Sequence, residues 1–362
     1  MPTISLCMIV KNEEDVLERC LKSVFYLVDE IIIVDTGSDD NTKNIAAKFT
    51  KKIYDFNWED DFASARNFAF EKASCDYLFW LDADDVLLEK DQKEFQKMKQ
   101  TLSADVVMLP YNVGFDKNMR PVFSYERERL FKKDMNFLWK GAVHEVIVPR
   151  GTIAHGKASI THLRKGQRHN ERNLRIYQKL LSKEKNLTPR EQYYYARELT
   201  EAKAYKAAIP IYEKFLENKN SWDMDCVGAC IQLSNCYTAI KQSDSAMHSL
   251  FHSFKYDVPC PEICCKIGDY FFNNNNYTTA IFWYTLACQT SELSKYQFYN
   301  KQYSDYIPYL QLCVCYDKLQ EYDIANFWNE KAGSILPDSF AYLYNKKYFE
   351  QKLNERNLHE LL

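Results

Sequence analysis

The sequence YLFWLDADD, at residues 77–85, joins an apolar run to a cluster of carboxylates. The run from Tyr77 to Leu81 predicts a buried strand, and Asp82, Asp84 and Asp85 follow it directly. Carboxylates this close raise each other's pKa and repel one another unless a cation lies among them. The strand explains how they are held, and a divalent metal explains why they are tolerated. We therefore predict a metal site at the carboxyl edge of an α/β sheet, where such sheets bind their ligands.

Length and charge limit the classes of protein to which this chain can belong. Its 362 residues favour two domains. The 47 basic and 50 acidic residues give a net charge of -3, which argues against a nucleic-acid partner because such proteins carry a basic face. No apolar run approaches the roughly 18 residues that a membrane-spanning helix needs, so no transmembrane segment is expected. The N-terminus shows no signal-peptide pattern, and we expect a cytoplasmic protein.

Twelve cysteines are present, and several are spaced four residues apart, such as Cys226/Cys230 and Cys260/Cys264. A zinc site would need C-x2-C spacing, which the sequence lacks. In a reducing compartment free thiols behave as small apolar side chains. We therefore expect these cysteines to fill the core.

Strands and helices alternate along the first eighty residues. Apolar runs predict strands at residues 4–10, 30–34 and 52–56, and a 3.6-residue apolar stripe predicts a helix after the first of them. Asn12 is expected to cap that helix, and Asp35 follows the second strand. This βαβ rhythm predicts a mostly parallel sheet whose acidic strand ends lie at one edge.

Four short motifs occur in order along this region: SLCMIVKNEE at 5–14, VDTGS at 34–38, ARN at 65–67 and DADD at 82–85. Together they resemble the family 2 glycosyltransferases, which have the GT-A fold. The resemblance implies a Rossmann-like, mostly parallel sheet that binds a nucleotide sugar. We expect a GT-A domain over residues 1–165, a linker helix over 166–187 and a second domain over 188–362.

The resemblance implies a role for each motif residue. Asp35 would contact the uridine, and Arg66 would contact the uracil or the phosphates. Asp82 and Asp84 match the D-x-D motif that holds Mg2+ or Mn2+ on the diphosphate, and hard cations prefer carboxylate oxygens. His162 matches an additional metal ligand of some GT-A enzymes. The residues expected to bind the nucleotide sugar are Val10, Asn12, Glu13, Asp35, Arg66, Asp82 and Ala83.

Ordinary structural roles remain open for the same side chains. Asp35 precedes Thr-Gly-Ser and could instead close a turn, and Arg66 could be a salt-bridged arginine. Asp85 is open as a helix cap or a second-choice metal ligand. His162 is equally open as a hydrogen-bonded histidine at the domain edge.

An inverting sugar transfer needs a general base on the acceptor side. The string GAVHE at 141–145 resembles the part of the family in which an acid serves as this base. The resemblance implies Glu145 as the catalytic base and His144 as a residue that shapes the acceptor pocket. The structural alternative is an exposed glutamate at a strand end.

From about Thr188 the pattern is helical throughout. Four alanines follow an aromatic or polar residue by three positions, at successive intervals of 38, 34 and 45: Ala208, Ala246, Ala280 and Ala325. This pattern resembles tetratricopeptide repeats, which run at about 34 residues. We predict an all-α domain of about four degenerate repeats, with an insertion in the longest interval.

A family 2 domain paired with tetratricopeptide-like repeats resembles bacterial enzymes that glycosylate peptides or proteins. These include the bacteriocin S-glycosyltransferases. The resemblance implies an inverting, metal-dependent transfer of a hexose from a UDP-sugar, with UDP-glucose favoured, to a cysteine thiol or a Ser/Thr hydroxyl. A lipid-linked or lipopolysaccharide sugar remains open as the acceptor. A non-catalytic repeat scaffold with a degenerate transferase domain is the alternative of a different class. The repeat domain is expected to bind the acceptor or a partner, including a second copy of the chain.

Overall fold

The computed structural model describes residues 1–116, 119–163, 171–183, 186–219, 221–296 and 298–360, with the backbone alone for 354–360. The chain divides into two compact units, Met1–Asn186 and Leu187–Leu362. The predicted boundary at residues 165/166 lies outside the described residues. The first unit is α/β and the second is all-α, which is the fold class predicted from the sequence.

The first unit is built on one nine-stranded sheet. Its strands are β1 (Ile4–Val10), β2 (Glu30–Asp35), β3 (Ile53–Asp55), β4 (Tyr77–Trp80), β5 (Asp85–Val86), β6 (Val106–Phe115), β7 (Pro121–Lys132), β8 (Ile153–His155) and β9 (Ile160–His162). Strands β3, β2, β1 and β4 are neighbours in that order and all parallel. The sheet continues through β7, β6, β9 and β5, in which β7 is antiparallel to β4 and β6. Strand β9 runs parallel to β6 and antiparallel to β5, and β8 pairs in parallel with β6.

Helices accompany the sheet in the described part of this unit. They are α1 (Leu17–Val24), α2 (Thr42–Ala46), α3 (Phe62–Lys72), α4 (Glu89–Gln100) and α5 (Glu171–Ser182). Alternate residues of one strand enter different cores, so that Leu6 packs with Leu21 of α1 while Cys7 packs with Phe70 of α3. Central parallel strands covered on both faces are apolar along their whole length, which explains the short apolar runs in the sequence.

Helix α1 begins at Leu17, five residues after Asn12. The expectation that Asn12 caps this helix is wrong. Asn12 has a left-handed backbone, with φ at 55°, and its Oδ1 accepts a hydrogen bond from the N–H of Asp39 at 2.9 Å. Asparagine tolerates this conformation better than most residues, and its side chain joins the loops after β1 and β2.

The second unit consists of helices that pack in consecutive pairs. They are α6 (Pro189–Glu201), α7 (Tyr205–Leu216), α8 (Asp223–Ala239), α9 (Ser243–His252), α10 (Pro261–Asn273), α11 (Tyr277–Ala287), α12 (Tyr306–Lys318), α13 (Tyr322–Ile335) and α14 (Phe340–Glu360). The four repeat alanines lie on α7, α9, α11 and α13, and all are buried. A small buried side chain therefore lies in these helix pairs, where it allows two helices to approach closely.

The longest interval between the repeat alanines contains the segment 288–305, which lies between α11 and α12. Two of its side chains, Tyr296 and Tyr299, are buried and pack with Ile231 of α8 and Ile267 of α10. These two tyrosines are thus part of the core of the repeat unit. Among the described residues, no helix is both long and apolar enough to cross a bilayer.

Candidate active site

The candidate site lies at the carboxyl edge of the parallel strands. Strand β1 ends at Val10, β2 ends at Asp35, and β4 is followed by Leu81 and Asp82. Because β1 pairs in parallel with both β2 and β4, and Val10 lies opposite Asp35, these strand ends share one edge. Open α/β sheets bind their ligands at such an edge.

Asp35 has one carboxylate oxygen in a turn and a second one outside that turn. Its Oδ1 accepts hydrogen bonds from the N–H groups of Gly37 at 2.9 Å and Ser38 at 2.8 Å, so the turn role left open by the sequence is present. Its Oδ2 is buried and has no hydrogen-bond partner among the described residues. A buried acceptor of this kind costs free energy unless a ligand or water donates to it.

Asn12 and Glu13 tie the loop after β1 to the loop after β2. The N–H of Asn12 donates to Oγ of Ser38 at 3.0 Å, and the N–H of Glu13 donates to Oγ1 of Thr42 at 2.7 Å. Val10, which precedes them, is buried at the end of β1. The backbone of the loop after β1 is therefore held in place by the side-chain hydroxyls of Ser38 and Thr42.

The carboxyl group of Glu13 lies in a strongly negative environment. Burial raises its pKa, the charges of Asp84 and Asp82 raise it further, and the result is a pKa of about 7. Three acidic groups thus share a region where full ionisation is unfavourable. A bound cation would relieve this repulsion.

Arg66 of α3 joins two of the candidate residues. Its Nε donates to Oε1 of Glu145 at 2.6 Å, and its Nη2 donates to Oδ1 of Asp82 at 2.7 Å. The guanidinium carbon lies 4.8 Å from the ring centre of Trp80 and 5.0 Å from that of Trp139. The salt-bridged role left open for Arg66 is therefore present, between a D-x-D aspartate and the predicted base.

Asp82 is ionised in this arrangement. Burial acts to raise the pKa of Asp82, but the charges of Arg66 and Arg129 outweigh it and lower the pKa to about 2. The side chain of Asp82 nevertheless remains 37% exposed. Ala83, the next residue, is buried in the core beneath the motif.

Asp84, Asp85 and His162 form a group that could hold a metal ion, since each can offer a ligand atom and these atoms lie within 4.8 Å of one another. Nδ1 of His162 lies 3.1 Å from Oδ1 of Asp85 and 3.4 Å from Oδ1 of Asp84. Burial acts to lower the pKa of His162, but the hydrogen bond to Asp85 and the charge of Asp84 raise it. Burial raises the pKa of Asp84. The group combines a hard carboxylate with an imidazole, a donor set suited to Mn2+.

Two residues to which the sequence analysis assigned no role contact Asp85 of this group. Arg129 of β7 is fully buried, and its Nη1 donates to Oδ2 of Asp85 at 3.1 Å. The hydroxyl of Tyr111 donates to Oδ1 of Asp85 at 2.9 Å and lies 3.0 Å from Nδ1 of His162. The available signal was an arginine directly before the apolar pair Leu130-Phe131, inside a strand.

The loop that carries Glu145 is anchored on α3. The side-chain amide of Asn67 accepts from the N–H of Trp139 at 2.8 Å and donates to its carbonyl at 3.1 Å. His144 has a left-handed backbone, with φ at 52°. The side chain of Glu145 is only 12% exposed, unlike the exposed strand-end glutamate of the structural alternative.

The predicted site residues thus fall into two adjoining sets. Arg66 brings Asp82 and Glu145 together, and Asp84 lies with His162. Of the three predicted metal ligands, Asp82 is paired with Arg66, while Asp84 and His162 lie in the cluster completed by Asp85. Val10, Asn12, Glu13 and Asp35 lie on the strand ends and loops of the same edge, where a nucleotide would bind.

Comparisons with known proteins identify a family for the first unit. Residues 5–153 match the family described as glycosyl transferase family 2. A TPR repeat-containing protein of Synechococcus elongatus is 36% identical over 148 residues, which cover 41% of this chain and 36% of that protein. The prophage-derived glycosyltransferase SunS of Bacillus subtilis is 30% identical over 149 residues, which cover 40% of this chain and 34% of SunS. The chain thus spans about a third of the length of these curated relatives.

A search of solved structures also finds the crystal structure of S. aureus TarS 1-349, with a TM-score of 0.36 and 13% identity over 71% of this chain and 93% of that one. The family match covers the four quoted motifs and Glu145, whereas His162 lies beyond it. The resemblance inferred from the motifs is therefore confirmed. The chain carries a family 2 glycosyltransferase domain, followed by a unit of tetratricopeptide-like helical pairs.

Proposed function

We propose that the chain is a metal-dependent, inverting glycosyltransferase that moves a hexose from a UDP-sugar to a peptide or protein side chain. The observation that carries this proposal is the buried Oδ2 of Asp35, which has no partner among the described residues, at the sheet edge that also presents Asp82 and Asp84. A uridine supplies the missing donor, through its N3–H or its ribose hydroxyls. Its diphosphate would then extend toward the acidic motif.

Asp84 and His162 would hold the metal, with Asp82 contributing through an oxygen not paired with Arg66. Mg2+ and Mn2+ both accept carboxylate oxygens, and an imidazole ligand favours Mn2+. When bound, the cation would neutralise charge on the departing diphosphate. The pKa of Glu13 is raised to about 7, first by burial and then by the charges of Asp84 and Asp82, and a cation would offset the part that these charges contribute.

Glu145 would act on the acceptor. Arg66 fixes Oε1 of Glu145 by a hydrogen bond of 2.6 Å, which orients the carboxylate. The carboxylate would take the acceptor proton as the new bond to the sugar carbon forms. The bond from that carbon to the diphosphate oxygen breaks in the same displacement, and the oxygen leaves with the electron pair. His144, one residue earlier, would shape the acceptor side.

A cysteine thiol suits this base better than a hydroxyl. A free thiol has a pKa of about 8.5, far below that of Ser or Thr, so a carboxylate needs less driving force to remove its proton. UDP-glucose is the favoured donor in this proposal. The repeat unit would bind the acceptor peptide or a second copy of the chain. We place the reaction in the cytoplasm, where the twelve free cysteines would stay reduced.

The first experiment measures hydrolysis of UDP-glucose, UDP-galactose and UDP-N-acetylglucosamine with and without Mn2+. We expect Mn2+-dependent hydrolysis of UDP-glucose that falls at least about 100-fold in Asp84→Ala. Asp134→Ala is the matched control, because Asp134 is an exposed aspartate of the same unit with 69% of its side chain accessible. If neither metal nor any UDP-sugar changes hydrolysis or thermal stability, the non-catalytic scaffold is the better interpretation.

The second experiment identifies the acceptor. A cysteine-containing peptide and its serine counterpart are incubated with UDP-glucose, Mn2+ and the full chain, and their intact masses are measured. A gain of one hexose on the cysteine peptide alone supports the thiol acceptor. A gain on the serine peptide alone overturns that preference, and transfer only to a lipid-linked sugar rejects the peptide acceptor altogether.

A further inference from the structure

A half-buried arginine of the repeat unit has no anionic partner there. Arg197 of α6 forms no hydrogen bond and no ion pair with any described residue. Its guanidinium carbon lies 5.7 Å from the ring centre of Tyr193 and 5.3 Å from that of Tyr194, so two aromatic rings flank it. Arg197 thus has N–H donors to offer to a group that the described residues do not supply.

Two buried tyrosines bring their hydroxyls to one place. Tyr193 and Tyr296 are each only 6% exposed, and neither hydroxyl forms a hydrogen bond with a described residue. A Cβ on Gly228 of α8 would lie 2.4 Å from the hydroxyl oxygen of Tyr193 and 3.3 Å from that of Tyr296. The two hydroxyls therefore converge on a position of α8 that has no side chain. Because buried polar groups are ordinarily hydrogen-bonded, two such hydroxyls indicate a place for a ligand.

Arg197 lies near both hydroxyls. Burial raises the pKa of Tyr193 and that of Tyr296, and the charge of Arg197 acts on each pKa in the opposite sense. Tyr193 and Arg197 are four residues apart on α6, so they lie on the same face of that helix. The segment 288–305 contributes Tyr296 from a distant part of the sequence. One cationic and two neutral donors therefore meet beside Gly228.

Asp257 fixes the segment that carries Tyr296. Its Oδ2 accepts hydrogen bonds from the hydroxyl of Ser294 at 2.9 Å and from the N–H groups of Lys295 at 2.7 Å and Tyr296 at 3.2 Å. The ring of Tyr296 is packed in the core of the repeat unit. Its hydroxyl is thus held in position before any ligand arrives, and donors fixed in this way bind at a lower entropic cost.

The charges around these donors favour a particular kind of anion. Arg190 and Arg197 carry two positive charges, and Asp225, whose Oδ2 lies 3.8 Å from Nη1 of Arg190, carries one negative charge. Burial raises the pKa of Asp225 to about 6, so its carboxyl group is mostly ionised at neutral pH. The neighbouring Glu262 and Lys266 lie 3.7 Å apart and form an ion pair. One net positive charge suits a carboxylate better than a phosphate group of nearly two negative charges.

We propose that Arg197, together with the hydroxyls of Tyr193 and Tyr296, binds the carboxylate of an acidic residue in a peptide. The planar guanidinium matches a planar carboxylate, and both hydroxyls can donate to its oxygens. Stacked helical pairs bind their partners along an extended surface, and α6 and α8 begin two successive pairs. The inference rests on the proposed function, in which the repeat unit binds the acceptor peptide. It adds that this peptide carries an acidic residue apart from the side chain that receives the sugar.

The experiment measures peptide binding to the full chain by isothermal titration calorimetry, without any UDP-sugar. The probes are acetylated and amidated glycine–serine peptides with one cysteine and one glutamate, which is moved along the series. Each has a counterpart with glutamine in place of glutamate. In at least one register, wild type should bind the glutamate peptide about 10-fold more tightly than its counterpart, because charge-assisted hydrogen bonds need the negative charge.

Three variants assign this preference to the site. Arg197→Gln should abolish it, and Tyr296→Phe, which removes one hydroxyl and keeps the buried ring, should reduce it to about 3-fold. Lys206→Gln is the matched control, because it removes one positive charge from an exposed residue of the same unit. It should leave the preference unchanged. The glutamine peptides should bind all four proteins equally, which also shows that the repeat unit is folded in each of them.

Several results would overturn the inference. A wild type that binds no glutamate peptide more tightly than its counterpart has no such site, and a preference that survives Arg197→Gln lies elsewhere on the chain. If Arg197→Gln fails to fold, Tyr296→Phe still decides, since an unchanged 10-fold preference would exclude its hydroxyl from the site. Propionate is titrated in parallel, and binding as tight as that of the best peptide would identify a site for a small organic acid instead of a peptide.

The two proposals fail in different ways. A wild type that transfers hexose to a peptide but shows no preference for glutamate would keep the proposed function and reject the carboxylate site. A preference that Arg197→Gln abolishes, in a chain that neither transfers nor hydrolyses any UDP-sugar, would keep the site and reject the proposed function.

Discussion

The Nε of Arg66 lies 2.6 Å from Oε1 of Glu145, within hydrogen-bond distance of the predicted base. The same guanidinium donates to Asp82, so one side chain joins the donor motif to the acceptor side of the candidate site. Both contacts are made by a buried arginine between two tryptophans. Changes at Arg66 should therefore affect stability and catalysis together.

Arg66→Ala should lower the free energy of unfolding by about 3 kcal/mol, because it leaves the mostly buried carboxylate of Glu145, and that of Asp82, without their cation. Urea unfolding followed by tryptophan fluorescence measures this change. Arg175→Ala is the control, since Arg175 is 68% exposed and lies 3.5 Å from Asp60. That surface pair should contribute less than about 1 kcal/mol. Equal losses in the two variants would contradict the buried role of Arg66.

Glu145→Gln should keep the fold and lower the transfer rate by about 100- to 10,000-fold, because an amide cannot accept the acceptor proton. The affinity for UDP should change much less, since Glu145 is placed on the acceptor side. Glu126→Gln is the matched control, as Glu126 is an exposed glutamate that also contacts a nitrogen-bearing side chain, with Nδ1 of His155 at 2.7 Å. Steady-state transfer rates and UDP titrations separate the two effects. A glutamine variant with normal turnover would exclude Glu145 as the base.

Glu13→Gln should be more stable than wild type at alkaline pH and equally stable at acidic pH. The folded pKa of Glu13 is raised from 4.5 to about 7, by burial and by Asp84 and Asp82. The folded state therefore binds more protons than the unfolded state between pH 4.5 and 7. Stability falls as the pH rises through this window, and the penalty is complete above it.

The variant lacks this penalty, so it should match wild type at pH 4 and exceed it by about 1 to 2 kcal/mol at pH 8, allowing for partial exposure of the side chain. Thermal and urea unfolding across this range provide the measurement. Glu14→Gln, a change at the exposed neighbouring residue, controls for the loss of one negative charge. A pH-independent difference would show that folding does not raise the pKa of Glu13.

Gly268→Ala should destabilise the repeat unit by about 1 to 3 kcal/mol through overpacking. A Cβ at this position of α10 would lie 2.7 Å from Cε1 of Tyr284, a ring buried between helices. Thr278→Ala, on the exposed face of α11, is the control and should have little effect. Differential scanning calorimetry should show the loss. UDP binding by the first unit should stay unchanged, and a loss of UDP binding would contradict the assignment of this packing to the repeat unit.

The sequence predicted those features that depend on local pattern. The apolar runs at 4–10 and 30–34 correspond to β1 and β2 because central parallel strands are buried along their length. The alanine spacing located the helix pairs because each alanine is a buried point of helix contact. Both signals arise within a few residues and need no knowledge of the partner element.

Features that depend on distant partners were not predicted. The sequence analysis assigned no role to Arg129, which is fully buried and pairs with Asp85, 44 residues earlier. Asn12 looks like a helix cap because the sequence cannot show that Asp39 competes for its side chain. Asp82 contacts Arg66, whereas Asp84 lies beside His162. These contacts likewise join separate elements of the fold.

The pairing of β5 with β9 also sets an order of events while the chain is being made. His162 follows Asp85 by 77 residues. At about 5 to 20 residues per second, the ribosome needs several seconds to deliver the histidine after the aspartates have been added. During that interval the acidic motif exists without the strand that completes it. A nascent chain that stops before β9 would therefore present the carboxylates of the site but not its histidine.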